Sequence, residues 1–281
     1  MNDIFFKDAN SRETYFTLHN IKSAHPVISG KGVKVGVIDW LFAYEKNLSL
    51  YSGYADISGK PDCLNQSGHG FWMANTLREI APECEIYAIN AVEYGDNAER
   101  IGHLENAVEW AMNNGIEILT YSHRAFDGDE KLRAHAIIKK AANAGIITTF
   151  IHCDSPHNIW PFGCFSFWQA DKFERTPDVN ILHFDYNVLR MDVYERYNKI
   201  IDAGQIIKSG DDVPFFSFSS MSPVLGGFVA LMKEHKRDLS ADECRKILIE
   251  TSYAITEQGR IWYDLNPCGR VVDIGKAVTI I

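Results

Sequence analysis

An α/β fold, a mostly parallel sheet with helices on both faces, follows from three features of the sequence. Apolar strand-like runs alternate with helical patterns long enough to cross between parallel strands. The strands are apolar almost throughout, as burial on both faces requires. The chain has 281 residues, 46% hydrophobic and 23% charged, which supports a full core and excludes disordered and fibrous classes.

Taken in order, residues 1–30 read as a lead-in with a short helical stretch near Tyr15–Ser23, and 31–281 as one domain. Val33–Ile38 is the first expected strand and Gly70–Ile80 the first long helix. Glu85–Ala91 is the next strand, and Ala98–Asn114 a helix stopped by Asn113-Asn114-Gly115. Ile116–Tyr121 is a third strand, followed by a helix over Asp129–Asn143 and a stop at Gly145. Ile146–Ile151 and Val179–Phe184 are the fourth and fifth strands. Between residues 152 and 216 lie an aromatic cluster (Trp160, Phe162, Phe165, Phe167, Trp168) and a polar helical stretch near Val188–Ala203. A long helix over Ser220–His235 contains Gly226-Gly227, which permit close backbone approach under the sheet. Ser240 with Glu243 forms a capping box for one more helix.

Net charge is −9, with both signs mixed along the chain. Sequence-independent nucleic-acid binding needs a basic face, so it is not expected. No apolar run has the length of a membrane-spanning helix, and Met1–Asp8 lacks the pattern of a secretion signal. The six cysteines (Cys63, Cys84, Cys153, Cys164, Cys244, Cys268) include no C-x-x-C pair. They read as mostly reduced thiols of a cytoplasmic protein, with pairing of a few left open.

Three segments carry an Asp–His–Ser set in chain order: Val35-Gly36-Val37-Ile38-Asp39, Ser67-Gly68-His69-Gly70 and Ser217-Phe218-Ser219-Ser220-Met221-Ser222-Pro223. The first is an apolar strand ending in a carboxylate. The second opens a helix, and the third precedes one. With these segments the chain resembles the subtilases, the subtilisin-like serine peptidases. The likeness extends to Ala81-Pro82 before Glu85–Ala88, to Ala107–Ala111 with Asn114-Gly115, to Pro177–Leu182, and to Gly269–Asp273 with Ala277-Val278. It runs from Ile21 to the C-terminus and is poor over 155–215. The fold it implies is a subtilisin-like doubly wound sheet.

The resemblance implies a triad in which Ser219 is the nucleophile, His69 the base and Asp39 the group that orients the imidazole. Each position has a plainer reading: Ser219 or Ser220 as a helix cap, His69 as a turn residue, Asp39 as a turn cap. The pattern is also altered. Ser217-Phe218-Ser219 replaces Gly-Thr-Ser, Phe71-Trp72 follow His69-Gly70, and Trp40-Leu41 stand where a small residue and Gly follow the carboxylate. Asp154 falls at the position of the oxyanion-hole Asn, where some relatives also carry Asp. Ionised it repels the oxyanion; protonated it donates to it. Ser122, His123 and Arg124 occupy the substrate edge, normally Ser-Leu-Gly. Arg124 either narrows the first pocket, selecting a small or acidic residue, or points to solvent.

The segment from His69 to Ala81 is too short for the calcium loop of secreted relatives, so no metal or cofactor is expected. Only about thirty residues precede the first strand, too few for a folded pro-domain. The expectation is a cytoplasmic endopeptidase acting on a peptide or protein, restrained by narrow specificity, low intrinsic activity or a regulatory partner. The other reading is a non-catalytic scaffold whose cleft, filled by Phe71, Trp72 and Phe218, binds a peptide or protein. A nucleotide-binding reading lacks its glycine motifs.

Overall fold

The computed structural model describes Phe16 and residues 19–91, 97–122, 128–150, 162–164, 166–167, 180–182, 218–254 and 270–281. The main sheet contains β1 (Lys34–Asp39), β2 (Gly53–Asp56), β3 (Glu85–Asn90), β4 (Ile118–Tyr121), β5 (Ile147–Phe150) and the short β7 (Ser166–Phe167). Its order is β2-β3-β1-β4-β5-β7. The first five strands are parallel; β7 joins the edge antiparallel to β5. A second sheet, β6-β8-β10-β9, contains Phe162–Cys164, Asn180–Leu182, Arg270–Val271 and Tyr253–Ala254 in that order. The expected fifth strand near Val179–Phe184 is therefore present at Asn180–Leu182, but in this smaller sheet.

The helices are α1 (Ile21–Ala24), α2 (Pro61–Asn65), α3 (His69–Ile80), α4 (Asn97–Asn113), α5 (Gly128–Asn143), α6 (Met221–His235), α7 (Ala241–Thr251) and α8 (Ile274–Thr279). Side chains alternate between the faces of a strand. Val35 and Val37 accordingly join a core cluster with Phe71, Trp72 and Leu77 of α3 and Leu225 and Phe228 of α6. Ile38, Ile89 and Leu119 join the opposite cluster, with Leu104 and Val108 of α4 and Ile138 of α5. The sheet is thus doubly wound. Among the described residues, no helix is long and apolar enough to cross a membrane.

α6 is buried from Met221 through Lys233. A Cβ on Gly226 would lie 2.5 Å from Thr120 Cγ2, and one on Gly227 2.5 Å from Ile80 Cγ2. The two glycines let this helix lie against β4 and α3 at once, the close approach expected from Gly226-Gly227. Phe16, Ile21, Ala24 and Ile28 also enter this core. The expected capping box is present: the Ser240 hydroxyl accepts the Glu243 N–H at 3.2 Å, and the Glu243 carboxylate accepts the Ser240 N–H at 2.8 Å. The expected helix near Val188–Ala203 lies outside the described residues.

The chain leaves β1 toward β2 and β3 on one side, and only after β3 crosses to β4 on the other. The strand order therefore reverses beside β1. In an open α/β sheet the crevice at such a reversal, beyond the carboxyl ends of the strands, is where ligands bind. Asp39 ends β1 at that crevice, and Ser122 directly follows β4.

Candidate active site

Strand parity puts Asp39 on the face of Val35 and Val37, toward α3 and α6. Its side chain is 0% exposed. A buried carboxylate needs donors, and two are close: His69 Nδ1 is 2.9 Å from each Asp39 oxygen, and the Trp40 N–H reaches Oδ1 at 2.8 Å. An ionised carboxylate only accepts, so Nδ1 donates and Nε2 is the basic nitrogen of the neutral ring. The His69 side chain is 25% exposed.

The backbone after Asp39 sets this pair. Helix N-termini begin with N–H groups that lack partners within the helix. In α3 the Trp40 carbonyl accepts the Gly70 N–H at 2.7 Å, and the Leu41 carbonyl accepts the Phe71 N–H at 3.1 Å. The residues following the carboxylate thus cap the helix that carries the imidazole. Close approach requires glycines on both sides of His69. A Cβ on Gly70 would sit 2.5 Å from the Trp40 carbonyl oxygen, and one on Gly68 2.5 Å from Leu41 Cδ1. Leu41 and Ala43 have φ of +62° and +47°, left-handed values that cost a non-glycine residue about 1–2 kcal/mol. Leu41 is the position where the subtilase pattern has Gly.

Two aromatic residues stand beside the pair. The Trp40 indole stacks on the His69 imidazole with ring centroids 4.9 Å apart and planes 8° apart. Tyr51 donates its hydroxyl to the Phe42 carbonyl at 2.7 Å. Burial, then the nearby Asp39 carboxylate and Tyr44, hold the Tyr51 hydroxyl well above its ordinary pKa. It therefore remains neutral and does not compete with Asp39 for the imidazole proton.

Ser219 occupies a 3-10 turn, Phe218–Ser220, that runs into α6 and packs against α3. Ser219 is half-buried and Ser220 buried. Ser220 stands at the N-cap position of α6 without a side-chain cap bond. The Ser122 hydroxyl donates to the Ser219 carbonyl at 2.9 Å, fixing the turn against the end of β4. One turn on, the Ser222 hydroxyl accepts the Tyr121 N–H at 3.0 Å and donates to the Thr149 carbonyl at 2.9 Å. Thr149 Oγ1 returns a bond to the Ser222 carbonyl at 2.9 Å. The start of α6 is thereby clamped across β4 and β5.

Asp39 and His69 are thus hydrogen-bonded, and Ser219 lies on a turn packed against the helix that His69 begins. Ser122 holds that turn through its hydroxyl. His123, Arg124 and Asp154 lie outside the described residues. Phe71 and Trp72 are buried in the core cluster, their rings in a T-shaped contact at 5.3 Å. The side chain of Phe218 lies outside the described residues. The Trp40 stack and the Ser222 clamp were not anticipated, although a bulky aromatic directly after the carboxylate was a signal for the first. Among the described residues no group of three His, Cys, Asp or Glu side chains could hold a metal ion. Cys63, Cys84 and Cys244 are free thiols, and burial pushes Cys84 and Cys244 up to about 12, which keeps them protonated and unreactive.

No family model matches the chain. It is 28% identical over 138 residues to the thermostable alkaline protease of Halalkalibacterium halodurans, covering 46% of this chain and 37% of that protein. It is 29% identical over 104 residues to subtilisin BL of Lederbergia lenta, covering 34% and 38%. The chain therefore matches little more than a third of the length of these relatives. The subtilase cytotoxin SubAB is similar in structure, with a TM-score of 0.58 at 15% identity over 95% of both chains. The structural likeness shows a subtilisin-like α/β fold, and the matches to the alkaline protease and subtilisin BL support the resemblance to a divergent subtilase.

Proposed function

We propose that the chain is a serine endopeptidase that hydrolyses a peptide bond through an acyl-enzyme, with Asp39, His69 and Ser219 as its triad. The observation that carries this reading is the Asp39–His69 pair at 2.9 Å, combined with a half-buried serine on the turn packed against the same helix. In this mechanism Ser219 Oγ bonds to the substrate carbonyl carbon while its proton passes to His69 Nε2 and the carbonyl π pair moves to oxygen. Asp39 stabilises the imidazolium. The C–N bond then breaks, the proton leaves with the amine, and water repeats the sequence to release the acid. Backbone N–H groups at the start of α6 serve the oxyanion.

Asp154 completes the oxyanion site in this reading. If ionised it withholds a donor, which lowers the rate by about 10²–10³; if protonated it supplies one. Ser122, His123 and Arg124 form the substrate edge, with a small or acidic residue preferred before the scissile bond. The substrate is a peptide or protein cut with narrow specificity. A reducing, cytoplasmic setting is part of the proposal, supported by the free thiols of Cys63, Cys84 and Cys244.

The test is labelling with a fluorophosphonate, read by intact mass on wild type, Ser219→Ala and His69→Ala. One phosphonyl adduct on wild type, absent from both variants, is expected. No adduct on folded wild-type protein rejects the peptidase reading in favour of a binding scaffold.

A further inference from the structure

We propose that Trp40 is a positioning residue for His69: its indole fixes the plane of the imidazole and stabilises the imidazolium formed when Ser219 gives up its proton. The inference rests on the triad proposed above and adds a residue to it. Three observations carry it. The rings stack nearly parallel, their planes 8° apart and their centroids 4.9 Å apart. Trp40 is 6% exposed, so the indole is enclosed where it meets the imidazole. Its backbone also joins both partners of the pair, giving its N–H to Asp39 and taking the Gly70 N–H next to His69. These bonds hold the Trp40 backbone beside both groups, and its burial restricts the rotamers open to the indole.

The physics favours the charged ring. A neutral imidazole gains ordinary aromatic contact from the indole face. A protonated one gains the attraction of a cation for the negative face of a π system, strongest for Trp. The charge exists in the transition state and not in the resting enzyme, so the added attraction accelerates the step instead of only tightening the ground state. Among the described residues, the titratable groups identified beside His69 are Asp39 and Tyr51. Asp39 bonds its Nδ1, Tyr51 lies behind Asp39 in neutral form, and the turn and first residues of α6 (Phe218 to Ser222) carry no ionisable side chain. None of these is altered by changing Trp40.

The experiment compares wild type, Trp40→Phe and Trp40→Leu in two ways: the titration midpoint of the His69 ring by NMR, assigned with His69→Ala, and the rate of fluorophosphonate labelling. In Trp40→Leu the midpoint is expected roughly half to one pH unit lower, with labelling ~5–30-fold slower at neutral pH. Trp40→Phe, which keeps a flat ring, is expected to stay within about threefold of wild type. The indole should also leave an optical signature, since imidazolium in contact quenches it. A fluorescence change tracking the His69 midpoint, lost in Trp40→Phe and His69→Ala, supports the stack. An unchanged midpoint in folded Trp40→Leu overturns the proposal. The titration needs no catalysis, so a chain that fails to label sinks the peptidase reading while the midpoint still decides the role of Trp40.

Discussion

Two helices begin at the candidate site, and they are anchored by different means. α3 is held through its backbone: glycines flank His69 so that the carbonyls of Trp40 and Leu41 can come close enough to cap the helix. The start of α6 is held through a side chain, the Ser222 hydroxyl bridging β4 and β5. The first arrangement joins the imidazole to its carboxylate within a few residues. The second ties the serine turn to the sheet, independently of the imidazole. Errors in the first should appear as lost geometry and errors in the second as lost stability.

The largest effect should come from Gly70→Ala. Its Cβ would sit 2.5 Å from the Trp40 carbonyl oxygen, which is backbone and already accepts the Gly70 N–H. Relief requires moving the start of α3 away from Asp39. A displacement of about 1 Å can cost ~100-fold in rate. The expected outcome is a loss of that size in fluorophosphonate labelling, with unfolding measured alongside. Labelling at the wild-type rate in Gly70→Ala would break the claim that the close backbone approach sets the pair.

Acid should act on the α6 side. His19 is fully buried, its Nδ1 bonded to the Val272 carbonyl at 2.9 Å and its ring 5.6 Å from that of Phe228 on α6. Burial lowers its pKa to about 4 from 6.5, against the raising effect of the Val272 bond. Between these values the unfolded chain binds a proton that the folded chain does not, so stability rises with pH through the window. It is complete above about 6.5 and falls by about 3 kcal/mol as pH drops toward 4. His19→Gln should flatten this dependence in thermal unfolding, leaving a shallower slope between pH 6.5 and 4.

Much of this arrangement is legible in the sequence, for physical reasons that also mark where reading stops. Val33–Ile38, Glu85–Ala91 and Ile116–Tyr121 are apolar on both parities because two helical layers cover them, and that pattern survives without coordinates. Gly226-Gly227 inside a helical run indicates close approach, and the approach is there. β2 is silent by contrast. Of its four residues only Ala55 is buried, so the strand has no apolar period, and the two- and three-residue strands of the second sheet have too few positions for one. Read as a string, Phe71 and Trp72 crowd the cleft. Their places on α3 instead turn them into the core below it. The stacking of Trp40 depends on Leu41 entering the left-handed region and on a helix beginning 28 residues later, and local pattern carries neither.

A smaller effect is expected at Ser222. Ser222→Ala removes the acceptor of the Tyr121 N–H and the donor to the Thr149 carbonyl, both buried. Leaving such groups without partners costs about 2 kcal/mol. Denaturant unfolding should show that loss, while the His69 titration midpoint stays at its wild-type value. A moved midpoint would mean that the two anchors are coupled and that the contrast between them is too sharp.

The smallest effect tests the His69 side from within. A Cβ on Gly68 would meet Leu41 Cδ1 at 2.5 Å and its Cβ at 2.7 Å, so Gly68→Ala should destabilise by about 2 kcal/mol through overpacking. Leu41→Gly removes the obstacle and also the strain of a φ of +62°. If Leu41 is what makes Gly68 necessary, the double variant should lose about 1 kcal/mol less than the two single losses together. Urea unfolding of the four proteins measures that coupling. Strict additivity would show that Gly68 is held for its backbone alone, and the packed wall beside His69 would then have to be sought in Trp40.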